Sequence, residues 1–164
     1  MTTAKRMYHF YFGEENMMKH LTVEPGQSIG DIRLGMTQNE VEQTDAFSLD
    51  PKVEYDAQGK AQFIEFYESD EFKCMLGKLD LLGTEADVLI PQLDEISPYD
   101  REDPELGCSF QFDQIGLILW RPVPMTRQDM QEKWFLEMPP ENQQDEMKHL
   151  CFSTAAVYAK GYYD

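Results

Sequence analysis

The chain has 164 residues, of which 41% are hydrophobic and 12% aromatic, and it carries 31 Asp and Glu against 14 Lys and Arg, a formal net charge of −17. Acidic surfaces repel nucleic acid and anionic membranes, so this charge argues against both as partners and favours a basic protein. A disordered acidic tail would contain few apolar residues. The composition therefore predicts one folded domain spanning residues 1–164.

The cysteines indicate a reducing compartment. Cys74, Cys108 and Cys151 form no CxxC pair, and an odd number suits free thiols better than a disulfide framework. The aromatic stretch 7–12 is too short and too polar for the core of a signal peptide, and no segment approaches the ~18 apolar residues that a membrane-spanning helix needs. We therefore expect a cytoplasmic protein.

Runs of aromatic and β-branched residues, bounded by glycine, proline and acidic clusters, predict strands. In chain order these are 7–12, 20–23, 29–35, 53–56, 61–67, 72–82, 109–120 and 151–159. Gly59 lies in the turn of a predicted hairpin between the fourth and fifth of them. The segment 72–82 is either a strand pair or one strand with a bulge at Gly77, and 109–120 is either two strands around Asp113-Gln114 or one strand with a bulge.

The clearest helix start is at Thr37. Thr37 and Glu40 have the spacing of a capping box, and Met36 and Val41 have that of a hydrophobic staple. The helix is expected to be short because the period is lost before Pro51.

The same threonine-to-carboxylate spacing recurs twice more in the chain, and it predicts further helices. These start at Thr84, with a kink or division at Pro91, and run from Thr126 to about Met138, followed by a polar helical piece over 141–150. Strands predominate. The pattern predicts an α+β fold, with a largely antiparallel twisted sheet and two to four short helices packed on it.

Two helix starts are preceded by similar residues. Ile29-Gly30-x-Ile32 lies ahead of the first, and Ile115-Gly116-x-Ile118 lies ahead of the third. This similarity indicates either an internal duplication of a strand-then-helix unit or a chance match, because glycine and threonine are common where helices begin.

The densest acidic segment runs from Asp94 to Glu105. Its two prolines and its lack of a helical period predict an exposed loop. A loop that only aids solubility would have this composition, as would a docking site for a basic partner, in which an aromatic residue is set among charges. The spacing lacks the alternating acids and the central glycine of a calcium-binding EF-hand loop. The residues predicted to contact a partner are Asp94, Glu95, Tyr99, Asp100, Glu102, Asp103 and Glu105.

A second acidic patch offers an alternative, a small metal-dependent hydrolase that uses Glu65, Glu68 or Asp70. Such enzymes gather carboxylates around a divalent metal beside a group that activates water. No metal-binding or cofactor motif is present, so we expect no metal, no cofactor and no catalytic residue. The set Cys151, His149 and Asp145 lies too close along one element for nucleophilic catalysis. A non-enzymatic adaptor is a further alternative.

Three tyrosines lie near the end of the chain: Tyr158, Tyr162 and Tyr163. They predict either the closure of a sheet edge or a contact with a partner. The sequence does not distinguish between these alternatives, and it does not indicate the oligomeric state.

The segment 29–41 resembles the strand-then-helix opening of many small bacterial α+β proteins. With the acidity and the missing active site, the whole chain is similar to immunity proteins of contact-dependent growth inhibition and related polymorphic toxin systems. The resemblance implies an acidic cytoplasmic protein that neutralises a cognate basic toxin domain, often a nuclease, by covering its active site or substrate groove. It implies no catalytic residue.

Overall fold

The computed structural model describes residues 18–164, which form two five-stranded sheets with short helices between the strands. The strand predicted over 7–12 lies outside the described residues. The strands are β1 (Lys19–Glu24), β2 (Ser28–Ile29), β3 (Ile32–Arg33), β4 (Lys52–Tyr55), β5 (Ala61–Tyr67), β6 (Phe72–Leu76), β7 (Leu79–Asp80), β8 (Ser109–Phe112), β9 (Leu117–Trp120) and β10 (Thr154–Tyr158).

The first sheet has the order β3-β2-β1-β6-β7, and the second has the order β4-β5-β10-β9-β8. The pairs are antiparallel except for β1 and β6, which are parallel. The predicted α+β class and largely antiparallel pairing are confirmed. The last strand, β10, lies at the centre of the second sheet, and all five of its residues are buried.

The helices are α1 (Gln38–Glu42), α2 (Ala86–Ile96), α3 (Lys133–Leu136) and α4 (Pro140–Met147), with 3₁₀ turns at Ala46–Leu49, Arg127–Gln131 and Lys148–Leu150. The start predicted at Thr37 is confirmed, since its hydroxyl accepts a hydrogen bond from the Glu40 N–H at 3.2 Å. The predicted capping box at Thr126 is also present, but it begins a 3₁₀ turn.

Two helix predictions were wrong in detail. The second helix begins after Glu85 and has no side-chain cap, and Pro91 lies inside it without dividing it. Proline removes one backbone donor, and apolar packing offsets this loss because Leu89 and Leu93 are fully buried. The helix predicted over 126–138 is interrupted at Glu132, whose extended backbone separates the 3₁₀ turn from α3.

The segment 29–35 is a tight hairpin rather than one strand. Gly30 has φ +60°, which reverses the chain between β2 and β3, and both Ile29 and Ile32 are fully buried. Gly77, also at φ +60°, makes the corresponding turn between β6 and β7. Left-handed backbone of this kind favours glycine because a side chain would be strained there.

The chain runs twice through a hairpin of the first sheet, a helix and a hairpin of the second sheet. Isolated bridges join Thr37 to Lys60 and Glu85 to Cys151, so the start of each helix is tied to the residues ahead of β5 or β10. The structural repeat therefore relates the first helix start to the second, each of which follows a hairpin that turns at a glycine, Gly30 or Gly77. It does not relate the first helix start to the third, which was one of the two alternatives that the sequence similarity left open.

One continuous hydrophobic core joins the two sheets. Phe66 of β5 meets Phe72 of β6 edge to face at 5.5 Å, and α2 contributes Leu89 and Leu93. A smaller cluster lies beneath the helical segment 125–150. No helix in residues 18–164 combines the length and the apolar character that crossing a bilayer requires.

Candidate functional site

The acidic segment 94–105 is only partly a loop. Asp94 and Glu95 belong to the last turn of α2, and the irregular backbone begins at Ser97, which is extended with φ −156° and ψ 132°. A residue that precedes proline is pushed out of the helical region, so Pro98 explains where the helix ends. The prediction of a loop was wrong for the first three residues, 94–96, and correct from Ser97 onward. From here on, the name acidic segment refers to residues 94–108, which comprise the last turn of α2 and the loop that follows it.

Asp94 is neutralised within the chain. Both of its carboxylate oxygens accept hydrogen bonds from the Arg101 guanidinium at 2.8 Å, and the same guanidinium donates to the Tyr99 carbonyl at 3.0 Å. The bond from Arg101 holds the pKa of Asp94 below its usual range. Planar two-point pairing of this kind is the strongest geometry for an arginine and a carboxylate. Asp94 therefore fixes the loop to the end of α2.

Tyr99 is half-buried, and its ring is in contact with two phenylalanines and an arginine of the chain. Its ring packs edge to face against Phe110 at 5.1 Å and Phe112 at 6.2 Å, and the Arg101 guanidinium lies 3.7 Å from the ring centroid. The ring thus belongs to the edge of the core, and a partner would meet the arginine that covers it. The segment holds an arginine in a cation–π contact of its own.

Two aspartates shape the loop backbone. Asp100 accepts from the Glu102 N–H, and Asp103 accepts from the Glu105 N–H, each at 2.9 Å. Such turns are typical of aspartate in loops. The three glutamates of the segment are exposed, and none makes an ion pair with another residue of the described part: Glu95, Glu102 and Glu105.

A groove of about 1040 Å³ lies beside the acidic segment. The Asp100 N–H donates to the Gln111 carbonyl at 2.8 Å, which ties the loop to the edge strand β8 and places Asp100 in the groove wall. The other side chains that line it include Gln111, Asp113, Tyr158, Lys160, Tyr163 and Asp164. The acidic segment and the terminal tyrosines, which are far apart in sequence, thus meet at one place.

A hydrogen-bonded set fixes the floor of the groove. The Asp113 Oδ1 atom accepts from the Tyr158 hydroxyl at 3.1 Å and from the Gln111 amide at 2.6 Å. Tyr158 is only 5% exposed, and burial raises the pKa of its phenol above the usual value. The second Asp113 oxygen has no donor among residues 18–164, although Asp113 itself is exposed.

The two last tyrosines play different parts. Tyr162 stacks on Phe63 at 5.0 Å, and its hydroxyl donates to Glu54, so it closes the outer face of the second sheet. Tyr163 meets the Tyr158 ring edge to face at 4.8 Å and remains 49% exposed beside the groove. Burial raises the pKa of Tyr163 to about 12. Sheet closure therefore describes Tyr162, whereas Tyr163 is accessible to a partner.

The second acidic patch is divided between two places. Glu68 and Asp70 line a separate cavity of about 520 Å³ with Lys73 and Lys148. Glu65 lies on the outer face of β5, in register with Ala156 of β10. Within residues 18–164 no three His, Cys, Asp or Glu side chains are arranged to hold a metal ion.

The three cysteines are free. Burial raises the pKa of Cys74 to about 12, and burial is also the main cause of the raised pKa of Cys151. Thiols with raised pKa values are poor nucleophiles at neutral pH. His149 Nδ1 lies 3.4 Å from Glu146 Oε2, so the nearest carboxylate belongs to Glu146 instead of the Asp145 that the sequence paired with it.

Sequence reasoning missed the groove because four separated parts of the chain line it: 25–27, Asp100, 111–116 and 158–164. The turn at Gly26 contacts the turn at Gly116, where the Gly26 N–H donates to the Gly116 carbonyl at 3.2 Å. A Cβ on Gly26 would lie 2.7 Å from the Ile115 carbonyl oxygen, so glycine is required for this approach. The proline-glycine pair was visible as a turn, but nothing in the sequence indicated which turn it would meet.

No protein-family model matches the chain. Searches of curated proteins and of solved structures likewise found no significant match.

Proposed function

We propose that this chain is an acidic, non-enzymatic binding protein that captures a basic protein through the acidic segment and the adjoining groove. One observation carries the proposal. Three exposed glutamates, none of which has an ion-pair partner among residues 18–164, lie in or beside a loop that Asp94 and Arg101 clamp at its base. Carboxylates on a fixed backbone are ready to pair with incoming cations, so little ordering entropy is lost on binding.

The partner that fits best is a toxin domain with a basic surface, such as a nuclease whose substrate groove is lined with lysine and arginine. The likeness of residues 29–41 to immunity proteins supports this identity, and so does the net charge of −17. An acidic surface speeds association with a basic one by electrostatic steering and then blocks the anionic substrate. Such a protein would act in the cytoplasm.

The alternative of a metal-dependent hydrolase has less support, because Glu65 does not line the cavity that holds Glu68 and Asp70. An adaptor would use the same acidic surface with a different partner. The identity of the partner therefore distinguishes an adaptor from an immunity protein.

The test uses the protein encoded by the gene immediately upstream, where a toxin cognate to an immunity protein is expected. Surface plasmon resonance would measure its association with the wild-type chain and with the variant E95Q/E102Q/E105Q at several NaCl concentrations. We expect the variant to associate about tenfold more slowly at low salt and to lose most of the salt dependence, because three steering charges are gone. Co-expression of the chain should also rescue growth of cells that carry the toxin.

A matched control removes three exposed glutamates elsewhere, in the variant E42Q/E71Q/E141Q. It has the same change in net charge, so a general charge effect would slow both variants equally. Equal slowing, or unchanged kinetics in the first variant, would remove the acidic segment from the interface. Absence of any complex with the upstream protein would overturn the immunity role.

A further inference from the structure

We propose that the groove is a receptor for an arginine side chain of the bound protein, held between the Asp113 carboxylate and the exposed Tyr163 ring. The inference rests on the proposed function, because it names the chemistry that the captured protein presents. It concerns the groove alone and leaves the role of the exposed glutamates aside.

The Asp113 carboxylate is the first part of this receptor. Two donors, from Tyr158 and Gln111, hold one of its oxygens and so fix the orientation of the group. The other oxygen has no donor within residues 18–164 and belongs to a side chain that lines the groove. A carboxylate that is held at one oxygen and open at the other is prepared to accept a charge-assisted hydrogen bond.

The tyrosine rings are the second part. Tyr158 and Tyr163 stand perpendicular, with interplanar angle 89°, and Tyr163 is 49% exposed. Guanidinium groups stack on aromatic faces and are less strongly hydrated than ammonium groups. The pairing of a ring and a carboxylate therefore favours arginine over lysine.

The same chemistry is already satisfied once in this chain. Arg101 lies over the Tyr99 ring at 3.7 Å and pairs with both oxygens of Asp94. The groove offers a similar pair of groups, an aspartate and a tyrosine, and no arginine of the described part of the chain lines it. Lys160 is the basic side chain in its lining, and it makes no ion pair with the described residues.

The charges that line the groove predict the direction in which the affinity for a cationic ligand should change on substitution. Asp100, Asp113 and Asp164 face the groove from three elements, against Lys160. A cationic ligand should bind more weakly when an aspartate is neutralised and more tightly when the lysine is neutralised. A ligand held by shape alone would respond to neither change.

The experiment follows ¹⁵N amide shifts of the full chain during titration with the peptide Ac-Gly-Arg-Gly-NH₂. Parallel titrations use the same peptide with lysine and with citrulline, which keeps the shape of arginine and lacks its charge. We expect saturable shifts around Gln111, Gly116 and Tyr163 with the arginine peptide, weaker binding of lysine, and none of citrulline. D113N should weaken arginine binding about tenfold, the usual effect of one charged hydrogen bond. K160M should tighten it about twofold to threefold.

Asparagine keeps the oxygen that accepts from Tyr158, so D113N should fold, and K160M changes only an exposed residue. D145N on α4 is the control, because Asp145 is exposed and does not line the groove. Equal binding of the citrulline peptide, or shifts that do not saturate and that D145N reduces as much as D113N, would overturn the proposal. Capture of the upstream protein could persist after such a failure, which keeps the two proposals distinguishable.

Discussion

The two faces of the second sheet are made by neighbouring residues and have opposite characters. On β5, Ile64 and Phe66 are fully buried in the core between the sheets, whereas Phe63 packs beneath Tyr162 and Glu65 is partly exposed. The inner face is closed against the first sheet. The outer face is covered over only part of its area by residues 159–164, and the groove lies where Gln111 and Tyr158 emerge on that face.

We infer from this difference that the inner face mainly determines the stability of the fold and the outer face mainly determines binding. A side chain on the inner face contacts only other core residues, so its replacement should change the free energy of unfolding and leave partner contacts in place. A side chain on the outer face lies near solvent and carboxylates, so its replacement should change binding more than folding. Substitutions at adjacent positions of one strand can test this separation.

The largest effect is expected for F66A on the inner face. Phe66 is fully buried and packs against Phe72 of the other sheet, so its loss opens a cavity between the sheets. Removing a phenylalanine from a core costs about 3–5 kcal/mol. Urea unfolding followed by fluorescence would measure it. The control Y67A alters the next residue, which is 51% exposed on the opposite face, and should cost less than about 1 kcal/mol. Similar losses in both variants would contradict the assignment of faces.

A smaller effect is expected for R121M, at the end of β9. The Arg121 guanidinium is buried and donates to the backbone carbonyls of Gly107 at 3.0 Å, Met125 at 2.9 Å and His149 at 2.9 Å. It thereby joins the end of the acidic segment to the helical segment. Methionine would fill much of the space but would leave these carbonyls without donors, at a cost of about 2 kcal/mol or more.

The matched control for this prediction is R127M. Arg127 pairs with Glu85 at the surface, with its side chain 64% exposed, and surface ion pairs contribute about 0–1 kcal/mol. Thermal unfolding of the two variants should therefore show a clear loss only for R121M. Equal melting temperatures would mean that water replaces the buried guanidinium without cost.

Much of the second sheet could be predicted from sequence because its strands are runs of aromatic and β-branched residues bounded by turn residues. The hairpin of 53–56 with 61–67 and the existence of a final strand follow from short-range patterns. The division of 109–120 was one of two alternatives that the sequence left open, and the central position of the final strand was not predicted. The helix at Thr37 followed from its capping residues. These signals involve residues that are close in sequence, so they can be recognised without knowledge of the tertiary contacts.

The features that the sequence did not predict depend on contacts between residues that are distant in the chain. The segment 29–35 alternates like a strand, yet Gly30 reverses it so that Ile29 and Ile32 both reach the core. The groove depends on Gly26 meeting Gly116, a contact across ninety positions that no local pattern encodes. Asp94 and Tyr99 were predicted to contact a partner, and this stays a prediction. In the structure Arg101 pairs with Asp94 and covers the Tyr99 ring, contacts that the sequence did not indicate.

The smallest effect expected is a loss of stability at alkaline pH, caused by the ionisation of tyrosines on the outer face. Burial raises the pKa values of the Tyr158, Tyr162 and Tyr163 phenols, that of Tyr163 to about 12 from a usual value of 10.0. In the unfolded chain these phenols ionise near pH 10, whereas the folded chain retains the protons. The unfolded state is therefore favoured progressively as pH rises from about 10 to 12, and the contribution is complete below pH 10.

Urea unfolding at pH 9, 10 and 11 would measure this dependence, and the absorbance of the folded protein at 295 nm would follow ionisation directly. The variant Y158F/Y162F/Y163F should lose less stability over the same range, because phenylalanine has no proton to release. Its stability at pH 8 should be lower by only about 1 kcal/mol per lost hydroxyl contact, at Asp113 and Glu54. If the variant and the wild type lost stability equally between pH 9 and 11, the tyrosines of the outer face would not be responsible. The alkaline sensitivity would then belong to groups of the inner face or of the first sheet, and the contrast between the two faces would not extend to ionisation.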